Sequence, residues 1–162
     1  MIGRYAIISQ RTRQELADIE AAVTRVERAM AAWQHASAER DLFLDAAALN
    51  LRDVYAGLER VFRRVASEID GSVPSGTDWH RDLLQQMAAE IPGLRPAMLS
   101  SETAKSLDEY LRFRHVVRNI YAFQLNPERL QLLTDALPRV FAAVRVELIR
   151  FADVLDDLAH SA

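Results

Sequence analysis

One short stretch of the chain carries most of its candidate chemistry. Between positions 110 and 123, arginine and histidine side chains recur at the spacing of one face of a helix, at about 100° per residue. The members of this polar face are Arg112, Arg114, His115, Arg118 and Asn119. Arginine offers forked N–H donors to phosphate oxygens, and histidine exchanges protons near neutral pH. The types and spacing therefore suit a phosphate-binding face that holds a proton-transfer group.

The charge of this face is unbalanced, although the whole chain is slightly acidic. The formal net charge is −3, yet no acidic residue lies between Glu109 and Glu128. Arginines one turn apart repel each other unless a counter-charge lies nearby. That counter-charge could be a phosphate backbone, or Glu or Asp from a neighbouring helix. Spacing alone favours a salt-bridged or solvated face and leaves the phosphate-binding interpretation open.

The other side of this segment is apolar, which is typical of a helix packed in a bundle. Its apolar residues are Tyr110, Phe113, Val116, Val117, Ile120 and Phe123. Tyr121 lies at the border of the two faces, one turn from Arg118 and two from Arg114. The helix is predicted to start at Ser100 or Ser101 and to reach about Phe123.

Five helices are predicted to position this segment. Apolar residues recur at steps of three and four, separated by stretches rich in Gly and Pro. The predicted helices span about 10–35, 38–69, 79–90, 100–123 and 126–158, with a kink near Pro138. No stretch alternates with period two for long enough to form a strand. We expect an all-α fold, one antiparallel bundle in a single domain over residues 1–162, whose long end helices could also form a dimer seam.

Composition excludes several classes of protein and site. The chain has 162 residues, half of them apolar, and no cysteine. A disulfide framework, a thiolate zinc site and a cysteine nucleophile are therefore excluded. No stretch resembles a secretory signal or a membrane helix, so a cytoplasmic location without membrane contact is expected. No two histidines share a helix at metal-binding spacing and no glycine-rich phosphate loop is present, so no metal site and no cofactor are predicted.

Residues 114–121 resemble the Arg-x4-His-x-Tyr signature of HEPN-domain proteins, particularly the HepT-like ribonuclease toxins. The surrounding sequence is similar to that subgroup over roughly residues 54–151. The similar segments are Asp78-Trp79-His80, Leu83-Leu84, Pro92-Gly93-Leu94-Arg95-Pro96, Phe113-Arg114-His115 and Leu125-Asn126-Pro127-Glu128-Arg129-Leu130. The resemblance implies a HEPN-like helical bundle that forms a homodimer, with the site in a cleft between protomers.

The resemblance assigns roles residue by residue, with one departure. Arg114 takes the place of the family's Arg and Tyr121 the place of its Tyr, but Asn119 stands where the family has His. A register that starts at Arg118 would put Phe123 at the His position and lose the trailing Tyr. The first register is preferred because it retains Tyr121.

The resemblance also implies a metal-independent endoribonuclease in which a ribose 2′-hydroxyl attacks the adjacent phosphate. Such a reaction needs a proton acceptor, a proton donor and positive charge on the phosphorane. Arg114 and Arg118 could supply the charge. Asn119 can hydrogen-bond a phosphate but cannot carry a proton, so His115, one turn earlier, is the candidate substitute. With the roles that the resemblance implies, the predicted catalytic residues are Arg114, His115, Arg118, Asn119 and Tyr121. Arg112, Arg118 and Arg63 are predicted to bind RNA.

A partner follows from the same resemblance. HepT-like toxins are paired with a minimal nucleotidyltransferase antitoxin that can transfer AMP to the motif's Tyr, here Tyr121. ATP and magnesium would belong to that partner. Two alternatives are a non-catalytic HEPN-type module that binds RNA or a nucleotidyltransferase, and a plain helical interaction protein whose arginines pair internally.

The remaining polar candidates are predicted to be structural. Glu59 and the arginines that follow it on the second helix suggest a solvated face, from which Arg63 or Arg64 could join an RNA groove. Trp79 is predicted to anchor the core, and His80 to hold a turn.

Overall fold

The computed structural model describes residues 2–121 and 124–161, and this part of the chain folds into five α-helices. They are α1 (Ile2–His35), α2 (Arg40–Val65), α3 (Trp79–Ala88), α4 (Ser101–Asn119) and α5 (Pro127–His160). A π-helical turn, Ala66–Asp70, extends α2. Within the described ranges no β-strand forms, and Ile91 and Arg95 make an isolated bridge. The predicted all-α class is confirmed.

Neighbouring long helices run antiparallel. Between α1 and α2, Arg60 Nη2 donates to Glu15 Oε1 at 2.8 Å, and Arg25 Nε donates to Asn50 Oδ1 at 3.1 Å. These two helices approach closely at Gly57, where a Cβ atom would lie 2.6 Å from Ile19 Cγ1. A side chain at position 57 would therefore push α1 away from α2.

The fourth helix packs antiparallel to α5. Near its start, the Ser100 backbone N–H donates to Glu147 Oε1 at 2.6 Å, and further along the Tyr110 hydroxyl donates to the Leu133 carbonyl at 2.8 Å. Serine and asparagine caps set the starts of both helices. Ser100 Oγ accepts the Thr103 N–H at 3.1 Å, and Asn126 Oδ1 accepts the Glu128 N–H at 2.9 Å. Both caps agree with the predicted starts.

Two of the observed helix ends differ most from the predicted ones. The first helix begins at Ile2 rather than near residue 10, because Ile8 is fully buried in the core and Arg4 Nη1 donates to the Glu68 carbonyl at 3.2 Å. The fourth helix ends at Asn119, since Ile120 is extended, with φ −132° and ψ 160°. The predicted end, Phe123, lies outside the described residues.

The short third helix positions the candidate site. Its buried side chains Leu83, Leu84 and Met87 pack into the common core, so α3 is held against α2 and α4. The amides of Met98 and Leu99 donate to the Met87 carbonyl at 2.9 and 3.1 Å. These bonds hold the last turn of α3, and its first turn lies next to the middle of α2 and the second half of α4, where His80 contacts Glu59 and His115. None of the described helices is long and apolar enough to cross a membrane.

Candidate functional site

Three helices meet at one buried carboxylate, Glu59 on α2. Glu59 is 6% exposed, and its two oxygens have different partners. Arg114 Nη1 on α4 donates to Oε1 at 2.7 Å, and His80 Nδ1 on α3 lies 2.5 Å from Oε2. The prediction that Glu59 belongs to a solvated face is therefore wrong. A buried carboxylate needs such partners, because desolvation of an unpaired charge is costly.

The imidazole of His80 is held on two sides. The residue is buried, and its ring stacks on Trp79 with centroids 3.5 Å apart. A carboxylate only accepts hydrogen bonds, so Nδ1 carries the proton in the contact with Glu59. This contact fixes the ring and makes Nε2 the nitrogen available to a ligand. The sequence predicted only that His80 holds a turn. The structure shows that it also joins α3 to the buried carboxylate of Glu59.

The second histidine, His115, lies against the first. The two ring centroids are 5.2 Å apart and the rings meet edge to face, while His115 itself is exposed. Partial burial of the ring, then the positive charges of His80, Arg114 and Arg118, lower the pKa of His115 below its ordinary value of 6.5, against an opposing effect of Glu59. His115 is therefore a neutral imidazole at neutral pH and can accept a proton.

We call Glu59, Trp79, His80, Arg114 and His115 the histidine cluster. It joins a proton acceptor, a second imidazole and a guanidinium within one chain. Arg63 borders the cluster, because its guanidinium lies 4.9 Å from the centroid of the Trp79 ring. This cation–π contact places the predicted RNA-binding residue Arg63 at the edge of the site.

The arginines of α4 are not equally engaged. Arg114 uses Glu59 as its counter-charge, and Arg112 pairs with Asp108 of its own helix, with Nη2 2.8 Å from Oδ2. Arg118 is exposed, and within the described part of the chain no carboxylate forms an ion pair with it. The expected counter-charge from a neighbouring helix is therefore found for Arg114, whereas Arg112 pairs within its own helix and Arg118 is exposed.

The signature residues at the end of α4 lie differently from the sequence expectation. Asn119 Nδ2 donates to the His115 carbonyl at 2.8 Å, so its amide group faces back along its own helix. Tyr121 lies beyond the helix end and is 72% exposed, and its backbone N–H donates to Gln124 Oε1 at 3.1 Å. The predicted position of Tyr121 on the border of a helix face is wrong, because the helix has already ended.

A groove of about 550 Å³ lies between α3 and α4. Its floor is made by apolar side chains, Leu84, Ala88 and Ala104 among them, and the cations Arg81, Lys105 and Arg112 line it as well. Arg81 directly follows His80, and Arg112 precedes His115 by three residues. Asp108 also lines the groove and pairs with both Arg81 and Arg112, so the positive charge of the groove is partly neutralised.

Sequence reasoning missed the pairing of Glu59 with His80, although one signal was present. Tyr55, Leu58 and Phe62 form the apolar seam of α2, and Glu59 is one turn from Tyr55 on the same seam. A charged residue on a core-facing stripe must find a partner. The three-dimensional partner, His80, stands in one of the segments on which the family resemblance rests.

Tyr55 closes the buried side of the site. It is 1% exposed, and among the described residues its hydroxyl has no hydrogen-bond partner. Burial and then the charge of Glu59 raise the pKa of Tyr55 well above its ordinary value of 10.0. The residue therefore remains a neutral phenol and serves as an apolar wall behind Glu59.

Comparisons with known proteins give one match. A family model described as HepT-like protein matches residues 46–155, a range that includes all members of the histidine cluster. Searches of curated proteins and of solved structures found no match. Because the family model covers more than half of the chain and the fold is the expected helical bundle, the chain belongs to the HepT-like family of HEPN-type proteins.

Proposed function

We propose that this protein is a HepT-like toxin, a metal-independent endoribonuclease that cleaves cellular RNA, tRNA being one candidate substrate. The observation that carries the proposal is the exposed imidazole of His115, whose pKa is lowered and which stands between Arg114 and Arg118 on α4. A neutral base beside two guanidinium groups is the combination that cleavage by a 2′-hydroxyl requires.

In the proposed reaction His115 accepts the proton of the ribose 2′-hydroxyl as its oxygen attacks phosphorus. Arg114 stabilises the charge of the phosphorane, because Glu59 holds the guanidinium through one N–H at 2.7 Å and leaves other donors for phosphate oxygens. Arg118 adds a second positive charge one turn further on. Arg112 and Arg63 bind flanking phosphates of the RNA.

Asn119 is a positioning residue in this proposal. Its contact with the His115 carbonyl closes the last turn of α4 at the level of the base. The proton-transfer role that the family gives to a histidine in this place belongs here to His115, one turn earlier.

The proposed regulation is AMP transfer to Tyr121 by a nucleotidyltransferase antitoxin, which would bring its own ATP and magnesium. An exposure of 72% makes the phenol accessible to such a partner. AMP would add a negatively charged phosphodiester to the segment that directly follows Arg118 and Asn119, where it would compete with RNA for the arginines. Tyr121→Phe is expected to remove AMP incorporation, measured by mass spectrometry, and to leave cleavage within about twofold of the wild type, because no proton transfer is assigned to it.

We also expect a cytoplasmic homodimer, in which the sites of two protomers face a common cleft. Val116, next to the base, is 38% exposed, as a residue at such a cleft would be before association. Dilution-dependent sedimentation of the wild type and of Val116→Glu tests this part of the proposal.

A second candidate function is a non-catalytic module that binds RNA or the nucleotidyltransferase. The observation in its favour is that Asn119 replaces a proton-transfer residue and turns back toward its own helix. In this case the cationic surface of α4 would bind RNA without cleaving it.

Cleavage of total cellular RNA and of tRNA in EDTA separates the two candidates. The wild type, shown by mass spectrometry to carry no AMP, is compared with His115→Ala and Arg114→Ala. His35→Ala and Arg145→Ala are matched controls, since both residues are exposed on other helices. Cleavage that survives EDTA, is lost in the two site variants and persists in the controls supports the ribonuclease. Binding of RNA by a wild type that does not cleave it would overturn the ribonuclease in favour of the binding module.

A further inference from the structure

We propose that His80 is the second proton-transfer residue of the site, the general acid that protonates the leaving 5′-oxygen, and that Glu59 positions it. The inference rests on the proposed ribonuclease activity and adds a catalytic group from a different helix. It stands on geometry: the rings of His80 and His115 are 5.2 Å apart and meet edge to face, so one phosphodiester can contact both.

The contacts of His80 suit a group that must present one nitrogen in a fixed direction. Nδ1 lies 2.5 Å from Glu59 Oε2, and the ring is stacked on Trp79 at 3.5 Å. Glu59 occupies Nδ1 and Trp79 covers one face of the ring, so Nε2 is the ring nitrogen that remains for the substrate. In the imidazolium form Nε2 carries the proton that the leaving group needs.

The roles of the two histidines follow from their surroundings. His115 is exposed and faces His80 of α3, Arg114 and Arg118 of α4, and more distantly Glu59 of α2, a surrounding that favours its neutral form. It is therefore the base. His80 has a carboxylate as its direct neighbour and is the remaining imidazole, so it is the acid.

The step balances in atoms and protons. The 2′-oxygen bonds to phosphorus while its proton passes to His115. The bond from phosphorus to the 5′-oxygen breaks, and this oxygen takes the proton from Nε2 of His80. The products are a 2′,3′-cyclic phosphate and a 5′-hydroxyl end, and proton exchange with water restores both imidazoles.

This assignment explains why a carboxylate, and not an apolar side chain, is buried at position 59. Glu59 links the phosphate-binding guanidinium of Arg114 to the acid His80 through its two oxygens, so that charge stabilisation and proton donation are positioned by one side chain. Glu59→Gln retains the shape and can still accept from Arg114. It is therefore expected to slow cleavage less than His80→Gln.

A leaving group that needs no proton tests the acid directly. The substrate is a short RNA that contains the cleavage site mapped for the wild type, with sulfur in place of the 5′-bridging oxygen at that bond. A thiolate is stable near neutral pH, with an ordinary thiol pKa of about 8.5, so an acid is not required. His80→Gln is expected to cleave the oxygen substrate about 10²–10⁴-fold more slowly than the wild type and to approach the wild-type rate on the sulfur substrate. His115→Gln is expected to stay slow on both.

The outcomes separate the inference from the proposed function. His35→Gln is the matched control, and thermal melting verifies that each variant is folded. If His80→Gln is as fast as the wild type on the oxygen substrate, or equally slow on both substrates while folded, His80 is not the acid although the ribonuclease stands. Rescue of His115→Gln in place of His80→Gln would reverse the roles and also overturn the inference. A wild type that cleaves no cellular RNA, so that no cleavage site can be mapped, removes the proposed function and the inference with it.

Discussion

Two buried carboxylate–arginine pairs in this protein differ in how many N–H donors of the arginine are hydrogen-bonded. In the first, Arg95 pairs with Asp70, with side chains 0% and 5% exposed. In the second, Arg114 pairs with Glu59, and the Arg114 side chain is 17% exposed. Both pairs join segments far apart in sequence, yet only one is closed to further ligands.

The guanidinium of Arg95 is saturated. Nε and Nη2 donate to the two oxygens of Asp70 at 2.6 and 2.7 Å, and the other donors reach the carbonyls of Gln86, Ala89 and Pro96 at 3.0–3.1 Å. All five N–H groups of an arginine are thus occupied. Asp70 ends the π-helical turn after α2, so this pair fastens that turn to the end of α3 and the loop that follows.

The guanidinium of Arg114 donates to one carboxylate oxygen in the described structure. The same arrangement, a buried carboxylate paired with an arginine, therefore gives a saturated structural ion pair at Arg95 and an arginine with remaining donors at Arg114, which the proposed function uses to bind phosphate. The difference lies in the number of donors that remain for a ligand. Four predictions test this contrast.

The largest expected effect is on stability, at the saturated pair. Arg95→Met leaves the buried carboxylate of Asp70 without its cationic partner and with only the neutral amide of Gln86 as a side-chain donor, at 2.7 Å. It is expected to lower the free energy of unfolding by about 3–5 kcal/mol. Arg114→Met is expected to cost about 1–3 kcal/mol, because Glu59 keeps His80 as a partner. Urea unfolding followed by circular dichroism gives both values. Equal losses at the two sites would mean that Arg114 is as structural as Arg95.

The loss of RNA cleavage should show the opposite order, with a larger loss at the Arg114–Glu59 pair than at the Arg95–Asp70 pair. Arg114→Ala is expected to lower the rate of RNA cleavage about 10²–10³-fold through lost charge stabilisation. Asp70→Asn, assayed at a temperature where it is folded, is expected to cleave at nearly the wild-type rate. Single-turnover cleavage of one defined RNA compares them. A large loss of rate in folded Asp70→Asn would contradict the separation of the two pairs.

These pairs also show which features of the structure could be predicted from the sequence. Periodicity and capping residues predicted five helices and the starts of α4 and α5 correctly, because such signals act over one or two turns. The contacts of Glu59 reach across 21 and 55 positions to His80 and Arg114, and that of Asp70 reaches across 25 positions to Arg95. Local spacing cannot reveal such partners.

The residues predicted for the site show the same difference between local and long-range signals. Arg114 and His115 were identified from their own helix, and the structure places them in the histidine cluster. Tyr121 was assigned to the same helix, but α4 ends at Asn119. The end of a helix depends on the connection that follows it, and apolar periodicity continues through Ile120 without marking the stop.

The third prediction concerns the pH dependence of RNA cleavage at the Arg114–Glu59 pair, beside which His115 lies. A base acts in its deprotonated form, so the rate should fall as pH decreases through the pKa of His115, which lies below 6.5. The positive charge of His80 is one cause of that low value. His80→Gln should therefore move the pKa of His115 upward, toward its ordinary value, and the acidic limb of the profile to higher pH. Titration of the His115 ring protons by NMR measures this shift without any assay of activity. An unchanged or lower pKa in His80→Gln would show that the two rings do not interact as the structure implies.

The smallest expected effect distinguishes a paired from an unpaired arginine on the outer face of α4. Arg112 is bonded to Asp108, which also accepts from Arg81 Nε at 3.3 Å, whereas Arg118 has no ion pair within the described residues. Binding of single-stranded RNA releases counterions, and each phosphate contact contributes a slope of about −0.7 to the dependence of log K on log salt. In a His115→Ala background that does not cleave, Arg118→Gln should reduce the slope by about that amount. Arg112→Gln should reduce it by less, because Asp108 already neutralises part of the charge.

Fluorescence anisotropy with a labelled RNA at several salt concentrations gives the slopes. Equal reductions would show that Asp108 releases Arg112 to the RNA, and that pairing in the unbound protein does not decide which arginines bind phosphate.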